Sequence, residues 1–110
     1  MRSGERAERR AAWWYRLRGY RVLARNARAG GYELDLVARR GRRLVFCEVK
    51  SKEGVGFGAP VEMVAPEKQR RLRRAAAAWL AAHPEHAGCD VRFDVVSVWE
   101  GRLQQLADAF

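Results

Sequence analysis

Tyr32-Glu33-Leu34-Asp35-Leu36-Val37-Ala38-Arg39-Arg40-Gly41-Arg42-Arg43-Leu44-Val45-Phe46-Cys47-Glu48-Val49-Lys50-Ser51 reads as two strands folded back on one turn. The first strand spans about Tyr32 to Arg39 and the second about Arg43 to Ser51. A two-residue II′ loop wants Gly at its first position, and Gly41-Arg42 supplies it. That loop sets the register: Arg40 faces Arg43, Val37 faces Phe46, Asp35 faces Glu48 and Glu33 faces Lys50. Directly opposite residues share a face with Cβ atoms about 4.5–5.5 Å apart. Two carboxylates are therefore expected side by side on one surface of the sheet. A slip of one residue would send them to opposite faces, so the turn is decisive.

Residues 3–18 have the spacing of a helix. Ser3 can cap it, and Glu5 and Glu8 suit the positive end of its dipole. Ala7, Ala11, Trp14 and Leu17 or Arg18 form the expected inward face, with Glu8, Ala12 and Tyr15 as an adjacent stripe. Gly19 is a natural stop. A first strand is expected from Tyr20 to Asn26, and Ala29-Gly30-Gly31 is a turn. Gly54, Gly56, Gly58 and Pro60 mark residues 53–65 as a loop beside the carboxylates. Pro66 can open a second helix running to about His83, with Leu72, Ala75, Ala76, Trp79 and Leu80 inward. Asp90 to Trp99, rich in Val and Phe, is a fourth strand, and Glu100-Gly101 turns the chain into a short last segment. The order predicts an α/β domain with a mixed central sheet flanked by helices.

With 110 residues, one domain spanning 1–110 is expected, and a hydrophobic fraction of 48% argues against global disorder. The net charge of +9 favours a polyanionic partner, nucleic acid first and an anionic membrane second. That charge concentrates at the start, where residues 1–28 hold nine arginines against two glutamates. Cys47 and Cys89 are too few for a disulfide scaffold and lack zinc-ligand spacing, which points to reduced thiols and a cytoplasmic location. No apolar run has the length of a signal core or a membrane span.

Of the 22 basic residues only three are lysines, and Lys50 and Lys52 lie next to Glu48. Arg can supply positive charge, but it cannot act as a compact ammonium that gives up a proton. Two hard oxygen ligands on neighbouring strands suit Mg²⁺ or Mn²⁺, which can lower the pKa of a bound water and stabilise charge on a phosphoryl group. Lys50 shares a strand face with Glu48, because residues two apart point the same way. The chemistry implied is phosphodiester hydrolysis. The plainer reading is a surface ion pair across strands. It fits less well, because Asp35 and Glu48 are embedded in apolar strands, where a charge costs free energy unless it is paired or metal-bound.

The runs Glu33-Leu34-Asp35-Leu36-Val37-Ala38 and Leu44-Val45-Phe46-Cys47-Glu48-Val49-Lys50 resemble the PD-(D/E)xK nuclease superfamily, and within it the archaeal Holliday-junction resolvases. The bacterial YraN-like family is a closer match. It shares Gly19-Tyr20, Leu23-Ala24-Arg25-Asn26, Phe57-Gly58, the helix start around Lys68, Arg92-Phe93-Asp94-Val95-Val96 and Ala109-Phe110. The resemblance covers essentially the whole chain. It implies a restriction-endonuclease-like core, a divalent metal and a DNA substrate. It maps the metal carboxylates onto Asp35 and Glu48, the catalytic lysine onto Lys50, and a third acidic ligand onto Glu8. Tyr32 departs from the family, which has Gly there.

Phosphate contacts require positive charge near such a site, and Lys52, Lys68, Arg70, Arg71 and Arg74 are the candidates. Trp13 and Trp14 are adjacent on one helix and cannot face the same core, so one is free for a homodimer interface. Three functional classes stay open: a metal-dependent endonuclease, a non-catalytic nucleic-acid-binding module that keeps the fold, and, third, an interaction protein whose basic surface docks to an acidic protein or ribonucleoprotein.

Overall fold

A hairpin seeds the sheet. In the computed structural model, which describes residues 3–52 and 64–110, β2 (Tyr32–Arg40) and β3 (Arg43–Lys52) pair antiparallel in the expected register. Arg40 faces Arg43, Val37 faces Phe46 and Leu36 faces Cys47. Gly41 has φ 61° while Arg42 is outside the left-handed region, the combination a II′ turn requires.

Helix α1 (Ser3–Leu17) precedes β1 (Arg21–Ala29), and α2 (Pro66–Ala82) joins β3 to β4 (Asp90–Trp99). A turn of 3₁₀ helix at Pro84–His86 follows α2, and β5 (Arg102–Leu106) closes the order. The sheet runs β1-β2-β3-β4-β5. Its β3–β4 pair alone is parallel, because α2 carries the chain back across the sheet. The result is a five-stranded mixed sheet with a helix on each face, consistent with a restriction-endonuclease-like core. Among the described residues no helix is long and apolar enough to cross a membrane.

Alternation along β3 divides the core. Leu44 and Phe46 pack with Leu72, Ala75, Ala76 and Trp79 of α2, while Val45 and Cys47 pack with Ala11, Ala12 and Tyr15 of α1. Proline at the first position of α2 has no amide to satisfy, and Gln69 returns its side chain to the Val64 carbonyl at 2.8 Å. Gly30 lets the β1–β2 turn approach α2. A Cβ there would stand 3.2 Å from the Arg74 carbonyl, and its φ is 57°.

Two expectations need correction. Leu17 is 75% exposed and Trp14 only half-buried, so the inward face of α1 runs through Ala7, Ala11, Ala12 and Tyr15 instead. The helix stops one residue after Arg16. Gly19, at φ 89°, turns the chain so that the Tyr20 amide reaches the Tyr15 carbonyl at 3.0 Å, and Tyr20 fills the space expected for Leu17. Strand β1 also runs on to Ala29, past the Asn26 end read from the sequence. The side chain of Ser3, read as a cap, and the Gly-rich segment 53–60 lie outside the described residues.

Candidate metal and nucleic-acid site

Asp35 sits where both of its ladders falter. The described β2–β3 pairs end at Leu36–Cys47, one step before Asp35 would meet Glu48. On the other side, Asn26 stands between the pairs Arg25–Leu36 and Ala27–Leu34, opposite Asp35, with a left-handed φ of 54°. Asn is among the few residues that tolerate this conformation. The local departure from period two explains why Leu34 and Val37, three residues apart, both join the α2-side core, while Leu36 joins the α1 side. It also frees Asp35 from the flat pleat. Its carboxylate accepts the Val49 amide at 2.9 Å. The Glu33–Lys50 pairing does not form part of the ladder: Glu33 is exposed and paired in register with Arg28 of β1.

The two carboxylates nevertheless meet. The Asp35 pKa is pushed up to about 7, first by burial and then by the charge of Glu48; the Val49 amide opposes the rise. Glu48 is 6% exposed. The Lys68 ammonium, reaching over from the first turn of α2, forms an ion pair with Glu48 Oε2. Burial tends to lower the Lys68 pKa, but bonding to Glu48 and the charges of Glu48, Tyr32 and Asp35 outweigh it, and the net shift is upward. Tyr32 joins the same cluster: burial and the charges of Glu48 and Asp35 raise its phenol, while the charge of Lys68 opposes them.

Glu8 is half-buried on α1, and its charge adds to the rise at Asp35. It does not close a three-ligand cage. Among the described residues no three His, Cys, Asp or Glu side chains converge closely enough to hold one ion. Two carboxylates remain, with Lys68 as the described ion-pair partner of Glu48. That donor set fits a hard divalent cation, which needs only one or two protein carboxylates and keeps waters for the rest.

Lys50 lies two residues beyond Glu48 and is half-buried. Its partner across the parallel ladder is Ser97, whose buried Oγ has no hydrogen-bond partner among the described residues; the same holds for the buried Trp99 indole nitrogen, two residues on. Orphaned polar atoms in this position suit a polar ligand or water at the same face. The side chain of Lys52 lies outside the described residues.

The other expected phosphate contacts separate. Arg70 and Arg74 are exposed on α2, and Arg71 is tied to Glu67 one turn back at 2.7 Å. Trp79 fills core, stacked on His83 with ring centroids 4.0 Å apart and on His86 at 5.5 Å. Trp13 is 55% exposed.

Sequence reading missed two members of this site. Tyr32 was legible only as a departure from the family. Lys68 was read as a phosphate contact, although as the third lysine of an arginine-rich chain it carried the same signal as Lys50. A third omission lies on the opposite face, where Asp94 is fully buried and receives the Tyr15 hydroxyl at 2.6 Å, both arms of Arg92 at 2.7 Å, Gln105 at 3.0 Å and the Asp108 amide at 3.0 Å. Its position inside the apolar run Phe93-Asp94-Val95-Val96 is the signal that singled out Asp35.

Comparison with known sequences places relatives beside this geometry. A protein of Paramagnetospirillum magneticum is 45% identical over 115 residues, covering 100% of this chain and 88% of its own length. One of Parvibaculum lavamentivorans is 48% identical over 110 residues, covering 99% of this chain and 81% of its own. One of Acidothermus cellulolyticus is 46% identical over 104 residues, covering 86% and 79%. All three carry the name UPF0102 protein. The description "Uncharacterised protein family UPF0102" matches the present sequence over residues 7–98.

Proposed function

This chain belongs to the uncharacterised UPF0102 family, and from that premise we propose that it is a metal-dependent endonuclease of the PD-(D/E)xK kind. It hydrolyses phosphodiester bonds in DNA, with branched, Holliday-junction-like DNA as the expected substrate. The observation that supports this most is the Asp35–Glu48 pair: two carboxyl groups held together in apolar strands, with the Asp35 pKa raised to about 7. A structural ion pair would not juxtapose like charges. A cation site gains from it.

Asp35 and Glu48 would hold Mg²⁺ or Mn²⁺, with Glu8 contributing charge from α1. A bound ion there would acidify a water and neutralise the phosphoryl group under attack. The Val49 amide fixes the Asp35 carboxylate, so the ligand is positioned before any ion arrives. Lys50, on the same strand face as Glu48, orients the attacking water and offsets charge on the phosphate. Lys68 holds Glu48 in the ion-free state and moves to a phosphate oxygen when DNA is bound. Arg70, Arg74 and, once released from Glu67, Arg71 extend positive charge along α2, with Lys52 at the end of β3. Symmetric cutting of a four-way junction needs two active sites, which makes a homodimer through the Trp13 surface the expected assembly. The reduced state of Cys47 and Cys89 suits the cytoplasm.

One observation favours a second reading. Lys68 already neutralises Glu48, as a built-in cation would in a fold retained only for binding DNA. The deciding experiment is cleavage of four-way, nicked, flapped and single-stranded DNA with Mg²⁺ or Mn²⁺. The nuclease reading expects cutting that is abolished in Asp35→Asn and Lys50→Ala. Salt-sensitive binding without cutting under all of these conditions would leave the binding module standing.

A further inference from the structure

A cavity of about 190 Å³ opens on the α1 face, walled by Arg18, Arg40, Arg43, Arg92, Trp14 and Tyr20. None of its described lining residues is acidic. It is remote from Asp35 and Glu48. Arg43 and Glu48 are five residues apart on β3 and point to opposite faces, a separation along the strand of about 17 Å at roughly 3.3 Å per residue.

The arrangement has an electrostatic cost. Arg40 and Arg43 are direct partners across the hairpin, and like charges placed directly opposite destabilise a sheet. Arg18 and Arg92 add two more guanidinium groups. Asp94 is the carboxylate that Arg92 pairs with, and its oxygens are already taken by Arg92, Tyr15, Gln105 and the Asp108 amide. The pocket therefore keeps a positive excess.

It is also braced before any ligand arrives. The Arg18 guanidinium lies 3.7 Å from the Trp14 ring centroid and donates to the Trp14 carbonyl at 3.1 Å. Arg40 lies 4.6 Å from the Tyr20 ring centroid and donates to the Arg18 carbonyl at 2.7 Å. Ordering long side chains on binding costs affinity, and here stacking has ordered them already. Guanidinium forks match the paired oxygens of a phosphate. The volume corresponds to about six waters at roughly 30 Å³ each. That is less than the roughly 300–1,000 Å³ of pockets enclosing whole organic ligands. It suits a phosphate group with part of its ester, the remainder lying outside against the aromatic walls.

We propose that this cavity is a second phosphate-binding site, independent of the Asp35–Glu48 centre, which receives a phosphomonoester or phosphodiester group between the Arg40–Arg43 pair and Arg18. The test follows the Trp14 indole and arginine side-chain resonances by NMR in the full chain. Inorganic phosphate, thymidine 5′-monophosphate and a short oligothymidylate are titrated at matched ionic strength, with potassium chloride as control. Saturable shifts at Trp14 with phosphate but not chloride are expected. Arg43→Gln and Arg40→Gln should each weaken binding about five-fold or more, Arg43→Lys should weaken it less, and Asp35→Asn should leave it unchanged. Tighter binding of the mononucleotide than of the oligomer marks a terminal phosphate as the ligand, and the reverse marks a strand backbone; either supports the site. Shifts reproduced by chloride, or phosphate binding unaltered in both glutamine variants while their melting temperatures hold, would overturn the proposal.

Discussion

Two buried acidic centres lie on opposite faces of one sheet and are built on opposite principles. On the α1 face, Asp94 is saturated: a bidentate arginine, a tyrosine hydroxyl, a glutamine amide and a backbone amide all donate to it. On the α2 face, Asp35 receives one backbone amide and faces a second carboxylate, Glu48, whose described ion-pair partner is Lys68. The first centre ties α1, β4 and β5 together and has no capacity left for a ligand. In the second, two carboxylates stand together, and Lys68 is the ion-pair partner described for one of them. On the proposed reading, a divalent cation is what this second centre is built to receive.

The contrast can be broken from either side. The largest expected effect is at the saturated centre. Asp94→Ala leaves Arg92 without its partner in a poorly solvated place, so a loss of about 3–5 kcal/mol is expected in urea unfolding. Asp94→Asn, which keeps an acceptor for Tyr15, should lose less. A cost near zero for the alanine variant would remove the distinction between the two centres.

Asp35→Asn should act in the opposite direction, with a pH signature. The folded chain holds the Asp35 proton up to about pH 7, whereas the unfolded chain releases it near the ordinary carboxylate value of 3.8. Stability from this group is therefore complete below pH 4 and is lost as pH rises through 7. At about 1.4 kcal/mol per unit, the asparagine variant should gain a few kcal/mol over the wild type at pH 8 and almost nothing at pH 4. Its amide oxygen can still accept from Val49. Melting curves at the two pH values check this, and a gain that is equal at both would contradict it.

Lys68→Met removes the ammonium from Glu48. Because Lys68 is partly exposed, the expected loss of stability is about 1 kcal/mol or less. The ion-free site becomes more negative, so Mn²⁺ should bind a few-fold more tightly, as calorimetry can measure. Unchanged or weaker Mn²⁺ binding would mean that Lys68 and the ion do not compete. The smallest effect is reserved for Trp13→Ser, which touches neither centre. It should change unfolding by no more than about 0.5 kcal/mol, while sedimentation reports whether it dissolves a dimer.

The hairpin register was legible because Gly41-Arg42 admits few turn geometries, and with it came the proximity of Asp35 to Glu48. The limits of β4 and of α2 were legible for similar reasons, Pro66 and the flanking turn residues leaving little latitude. The backbone at Asp35 was not legible. It depends on a left-handed Asn26 in the neighbouring strand, and local alternation carries no trace of that. The Lys68–Glu48 pair joins residues twenty positions apart through the packing of α2 on the sheet. The inward face of α1 was misread at its end because a tertiary contact, Tyr20 under the helix, took the place that periodicity gave to Leu17. Asp94 could have been found, since an acid within Val and Phe needs partners wherever it occurs.

Isothermal titration of Mn²⁺ into the wild type and Asp35→Asn at pH 6 and pH 8 tests the cation centre most directly. An ion binding at Asp35 must displace the proton that this carboxyl holds below about pH 7, so affinity rises with pH. The expected result is one Mn²⁺ per chain in the wild type, bound at least ten-fold more tightly at pH 8 than at pH 6, with binding abolished in Asp35→Asn. Absence of binding at pH 8, or equal binding by the asparagine variant, would contradict the reading of Asp35 and Glu48 as a metal site.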